Sequence, residues 1–165
     1  TGAIQTIEAT GTASGGYRSM NRTQAEQLAL AHSESGLHCA ESVASTITKL
    51  FCPDQAGIVC RMATGLGGGM GGSRQEACGA LTGGVIAIGL LCGRSTPEQS
   101  REAAYQLSAA YRERFIAHFG SSICQTIRAG FTTNDTGSAC RSLTAAAAGM
   151  LYDLLQEQNR TTGPG

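Results

Sequence analysis

Seven cysteines in a chain of 165 residues are the groups best able to do chemistry: Cys39, Cys52, Cys60, Cys78, Cys92, Cys124 and Cys140. An odd count means that disulfides within one chain cannot use all of them. Four of them, Cys39, Cys78, Cys124 and Cys140, fall near the predicted start of a helix, on or beside its apolar stripe. A helix start presents unpaired amide hydrogens and partial positive charge, which lowers a thiol pKa and favours the thiolate that attacks and binds metal. Four inward thiolates of this kind can hold an iron–sulfur cluster, commonly a four-cysteine site. The same pattern also reads as plain packing, because free cysteine is among the most buried residue types. The spacings are long and include no CxxC pair, so they do not by themselves indicate a zinc ribbon, a ferredoxin or a thioredoxin. The lack of CxxCH excludes covalent haem attachment of the c type.

The other three cysteines differ. Cys52 and Cys60 bracket Pro53-Asp54-Gln55-Ala56-Gly57, a turn able to bring them together as a disulfide. Cys92 ends a predicted core helix and reads as packing or as a second-site thiol. Just before Cys78 stands Gly65-Leu66-Gly67-Gly68-Gly69-Met70-Gly71-Gly72. So many glycines cost entropy unless the backbone needs positive φ or close approach. The formal GxGxxG match lacks a βαβ unit, and no GK[ST] follows, so a nucleotide is not indicated. The better reading is that amides of Gly67, Gly68, Gly69 and Gly71 approach something beside Cys78, either cluster sulfides or another helix. His38 adjoins Cys39 and reads as a tuning residue or as an ordinary helix-start histidine. The carboxylates show no pairing for hydrolysis, and neither GxSxG nor HExxH occurs.

Helical periodicity positions these groups. Helices are predicted over 23–32, 38–51, 55–63, 73–92, 97–119 and 138–158, with a turn of helix around Cys124 and Ile127. Ser73 with Glu76 has the spacing of a capping box for the fourth. The fold expected is all-α: residues 1–20 an extended N-terminal arm, 21–160 one compact helical bundle rich in cysteine, and 161–165 a flexible tail. Twelve basic and twelve acidic residues give zero net charge with no basic cluster, so a nucleic-acid partner is not expected. The most apolar run, 80–91, is too short to span a membrane. A weakly charged surface of small residues is the composition of an exported chain, periplasmic or extracellular, and three N-x-T sequons begin at Asn21, Asn134 and Asn159.

Met62-Ala63-Thr64-Gly65-Leu66-Gly67-Gly68-Gly69-Met70-Gly71, followed by Cys78-Gly79-Ala80-Leu81-Thr82-Gly83, resembles the centre of the C…CGAxxG…C…C redox-active proteins. Cys39, in Cys39-Ala40-Glu41-Ser42-Val43, matches the upstream cysteine, and Cys124 and Cys140 match the two downstream ones. The resemblance spans roughly residues 28–158 and extends to part of the split-Soret cytochromes c, which are helical, dimeric and carry an iron–sulfur cluster. It implies cluster binding at Cys39, Cys78, Cys124 and Cys140, and electron transfer with a redox partner protein. Cys52, Cys60, Cys92 and the arm depart from the pattern. They keep two other expectations open: an exported, disulfide-braced subunit that forms a homo-oligomer through residues 1–19, and a metal-free thiol–disulfide protein. On all three readings the chain is more an electron carrier or structural protein than a catalyst.

Overall fold

The structure, a computed structural model, describes residues 20–162. Residues 1–19 of the expected arm and 163–165 of the tail lie outside them. The described residues form α1 (Arg22–Glu34), α2 (Cys39–Phe51), α3 (Ala56–Ala63), α4 (Gly79–Cys92), α5 (Glu102–Phe119), α6 (Cys124–Ala129) and α7 (Thr136–Thr162). No strand occurs among the described residues, where the only β pairing is the isolated bridge Ala77↔Ile123. The protein is all-α, as expected. No helix among them is long and apolar enough to cross a membrane. The last helix runs past the expected boundary, to Thr162.

The central element is α2, in which every residue but Cys39, Glu41 and Lys49 is buried. Alanine and glycine make this possible by letting neighbouring backbones come close. On α4, a Cβ at Gly83 would fall on the carbonyl of Ala40, and one at Gly84 on the ring of Tyr111. The Gly79-Ala80-Leu81-Thr82-Gly83 run therefore exists to seat α4 on α2, and only glycine permits that approach. The fully buried Tyr111 hydroxyl lies 3.1 Å from the Ala80 carbonyl and 3.2 Å from that of Ala147, so α5 links α4 to α7. On the other side α1 runs antiparallel to α7. Arg22 pairs with Asp153 at 3.0 Å, and Gly149 leaves room for the Glu26 side chain. Asn21 caps α1 with a complete capping box, its side chain accepting from the Gln24 amide at 3.0 Å.

Two expected helix starts move. The Ser73 and Glu76 pair caps nothing, because Arg74 adopts φ 65° and breaks the helical path. Ser73 instead donates its hydroxyl to the Gly69 carbonyl, and residues 74–78 run alongside 122–125. There the Cys78 amide donates to Ser122 O at 2.7 Å, the Cys124 amide to Glu76 O at 2.9 Å, and the Gln125 amide to Arg74 O at 2.8 Å. The helix waits until Cys78, its N-cap. Similarly, α5 starts at Glu102 rather than at Pro97, because the Gln99 side chain captures the amides of Ser95 and Thr96, at 2.6 and 3.3 Å.

Candidate functional site

Four helix starts meet at one cavity of about 370 Å³, and each brings a cysteine. Cys39 is the first residue of α2, Cys78 the N-cap of α4, Cys124 the first residue of α6, and Cys140 lies in the opening turns of α7. The register of α1 against α7 explains the last of these. With Arg22 beside Asp153 and Glu26 beside Gly149, the α1 C-terminus comes alongside the α7 start. The end of α1 and the turn after it thus bring Ser33, Gly36 and Leu37 to the same cavity as Gly137, Cys140 and Arg141. The clasp between 74–78 and 122–125 fixes Cys78 next to Cys124 through the backbone alone.

Close approach also fixes Cys39. A Cβ on Gly79 would collide with the Cys39 sulfur, so that sulfur lies directly against the α4 backbone. Gly69 plays the same part for Cys124, whose Cβ would stand 2.8 Å from one added to the glycine. Cys52, Cys60 and Cys92 do not line the cavity. All seven cysteines are free thiols in the structure, Cys52 and Cys60 included. Cys92 turns back on its own helix, its thiol donating to the Ile88 carbonyl at 3.2 Å.

The glycine loop is more specialised than its composition indicates. Gly68, Gly69, Gly71 and Gly72 have positive φ, as does Met70. Of the four glycines proposed to approach a cofactor, Gly68 lines the cavity, Gly67 packs on the His38 side chain and Gly69 on Cys124. Gly71 meets open space, and its amide donates to Gly65 O at 2.8 Å. The amides from Met70 to Arg74 all close on carbonyls of the loop itself. The Gly68 amide, at the cavity wall, has no protein acceptor among the described residues. His38 lines the cavity as the α2 N-cap, while its amide donates to Glu41 Oε2 at 2.8 Å.

Electrostatics at the cavity correct one expectation. Helix starts were expected to lower thiol pKa values, yet burial pushes Cys78 up to about 12, against amide hydrogen bonds from Ala80 and Leu81 that pull the other way. Neighbouring Cys39 and Cys124 push it up further. The Cys124 thiol is also raised, by burial and then by Cys39 and Cys140, while Arg128 and Arg74 oppose the rise. Desolvation by burial, which favours the neutral thiol, outweighs the helix terminus.

Three arginines at the cavity, Arg74, Arg128 and Arg141, were not singled out from the sequence. Arg128 donates to the Cys140 sulfur at 3.2 Å and to Thr136 Oγ1 at 3.1 Å. Two signals were present in the sequence: Arg128 follows Cys124 by four positions, one helical turn, and Arg141 adjoins Cys140.

A family model described as "putative redox-active protein (C_GCAxxG_C_C)" matches residues 37–154, which include all four cavity cysteines. In this chain the signature is written Cys78-Gly79-Ala80-Leu81-Thr82-Gly83. The match supports a general redox role. No curated protein and no solved structure matches the chain.

Proposed function

We propose, from the premise that the chain belongs to the C_GCAxxG_C_C redox-active family, that it carries single electrons on an iron–sulfur cluster held by Cys39, Cys78, Cys124 and Cys140. One observation carries this reading: four cysteines from four separate helix starts line one cavity, and the other three cysteines do not. The donor set fits such a group in chemistry, since clusters are held by cysteine thiolates and commonly by four. It fits a single ion poorly. Among the described residues no three His, Cys, Asp or Glu side chains converge as one metal ion requires. A zinc ion would need its sulfurs each about 2.3 Å away. A polynuclear iron–sulfur core would instead occupy a cavity lined by the four cysteines.

When bound, the cluster supplies reversible one-electron chemistry. The chain's own residues supply the rest. Gly79 and Gly69, having no side chain, let the sulfur-bearing segments close in, and the Gly68 amide remains available to a sulfur acceptor at the wall. Leu37, Ile127, Phe131 and Leu143 line the cavity with hydrocarbon and limit water beside the thiolates. Such surroundings tune potential as strongly as the ligands themselves.

The test is iron and acid-labile sulfide content, with a visible spectrum, on protein purified without oxygen. Stoichiometric iron with matching sulfide is expected, lost in Cys78→Ser and kept in Cys92→Ser. Colourless, iron-free wild-type protein would sink the cluster reading. A second reading, thiol–disulfide exchange without metal, is favoured by the half-exposed Cys39 and Cys140, both free thiols at one cavity. It requires that the free-thiol count change reversibly with redox buffer. The exported, self-assembling subunit remains a separate proposal. Its mark is loss of assembly, with the helical domain still folded, when residues 1–19 are removed.

A further inference from the structure

Arg74, Arg128 and Arg141 all line the cysteine cavity, and among the described residues none of them is ion-paired to a carboxylate. Arg74 and Arg141 are exposed to solvent at the cavity, whereas Arg128 reaches a sulfur. Arg128 is half-buried between α6 and α7, and its fork donates both to the Cys140 sulfur, at 3.2 Å, and to Thr136 Oγ1.

Arg74 adds an independent observation. It is one of two non-glycine residues with positive φ among the described residues, at 65°. The sequence has glycines at four nearby positive-φ positions, 68, 69, 71 and 72, yet an arginine at this one. Left-handed backbone strains an arginine and not a glycine. Strain held at a cavity wall points to a side chain that is needed there. The backbone of Arg74 is held on both sides, its amide donating to Gly68 O and its carbonyl accepting from Gln125 N, each at 2.8 Å.

Resting on the cluster reading above, we propose that Arg74, Arg128 and Arg141 form a cationic collar that favours the reduced, more negative state of the cysteine site, with Arg128 a positioning residue for Cys140. Uptake of one electron from a donor protein makes or breaks no covalent bond and makes the site one unit more negative. Fixed positive charge and hydrogen bonds to sulfur stabilise that state and raise the potential. Arginine suits the position on Cys140 better than lysine, because its planar fork bonds two acceptors at once.

The experiment uses the full chain, purified without oxygen, as wild type, Arg128→Gln, Arg128→Lys and Arg74→Gly. Each is read for iron, for thermal midpoint and for reduction potential by a mediated titration. Arg128→Gln is expected to titrate at a more negative potential than wild type, with Arg128→Lys recovering part of the shift. Arg74→Gly relieves the left-handed strain, so its thermal midpoint holds or rises while its potential still moves negative. A merely structural arginine would not give that opposition. Iron-loaded variants titrating at the wild-type potential would overturn the collar.

Iron-free wild-type protein would bring down the cluster reading and the collar with it, whereas iron-loaded variants at an unchanged potential would bring down the collar alone.

Discussion

The two sets of cysteines occupy opposite kinds of surroundings. Around Cys39, Cys78 and Cys124 the backbone itself is the packing material: Gly79 touches the Cys39 sulfur, Gly69 backs Cys124, and Gly83 seats α4 on Ala40. Around Cys60 and Cys92 the nearby helical glycines, Gly57 and Gly89, meet nothing within 4 Å. Glycine thus stands at both places for different reasons. At the cavity it is a steric requirement, and at the outer helices it only costs entropy. A cysteine held by backbone approach has its position dictated by the fold, whereas Cys92, bonded to its own helix, needs no partner at all.

The sharpest way to break this contrast is Gly83→Ala. Its methyl would meet the Ala40 backbone, which cannot swing aside, so α2 and α4 must separate. A loss of about 2–3 kcal/mol is expected, as for an overpacked core, read by urea denaturation. Tyr111→Phe comes next. It removes the hydroxyl shared by the Ala80 and Ala147 carbonyls and should cost about 1–2 kcal/mol by the same measurement. In the outer region the sign reverses. Gly57→Ala and Gly89→Ala, each in a helix with open space around it, should each stabilise by about 0.5–1 kcal/mol.

A separate check on the two sets of cysteines is a pH dependence in iron-free protein. Burial holds the folded-state thiols of Cys78 and Cys92 up at about 12 and about 11, above an ordinary 9.0. Each therefore favours the folded state while neutral. That contribution is complete below pH 9 and fades as pH rises toward the folded values. Denaturation midpoints should fall across this window, and Cys92→Ala should flatten the decline without abolishing it. A pH-independent midpoint would mean that neither thiol is desolvated as described.

Much of this was legible from residue types. On α2 and α7 the apolar residues at helical spacing, Val43, Ile47, Leu50, Leu143, Ala147, Met150 and Leu154, are all buried. Helix starts put Cys39, Cys78 and Cys124 at or next to their N-caps, because Pro, Gly and the apolar period mark helix ends locally. Local signals failed where distant chain decided the outcome. Ser73 and Glu76 have capping-box spacing, but pairing with residues 122–125 took that segment away from the helix. On α4 a nearly continuous apolar run hides which side faces out: Leu81 and Ile88 are buried, whereas Val85 is 38 % exposed. The arginines at the cavity were overlooked because a charged residue on a short helix reads as solvated until the opposing helix is known.

The backbone clasp joining 74–78 to 122–125 has a consequence for how the cavity is lost. Cys78 and Cys124 each give their amide to the other's segment, through Ser122 O and Glu76 O. Neither residue can therefore fray alone. An opening fluctuation that releases one sulfur must undo bonds from two remote stretches of chain, and so releases both. The pair behaves as one cooperative unit in local unfolding, and the amides of Cys78 and Cys124 should exchange with deuterium at a common rate. Whatever the cavity holds is kept or surrendered in a single event.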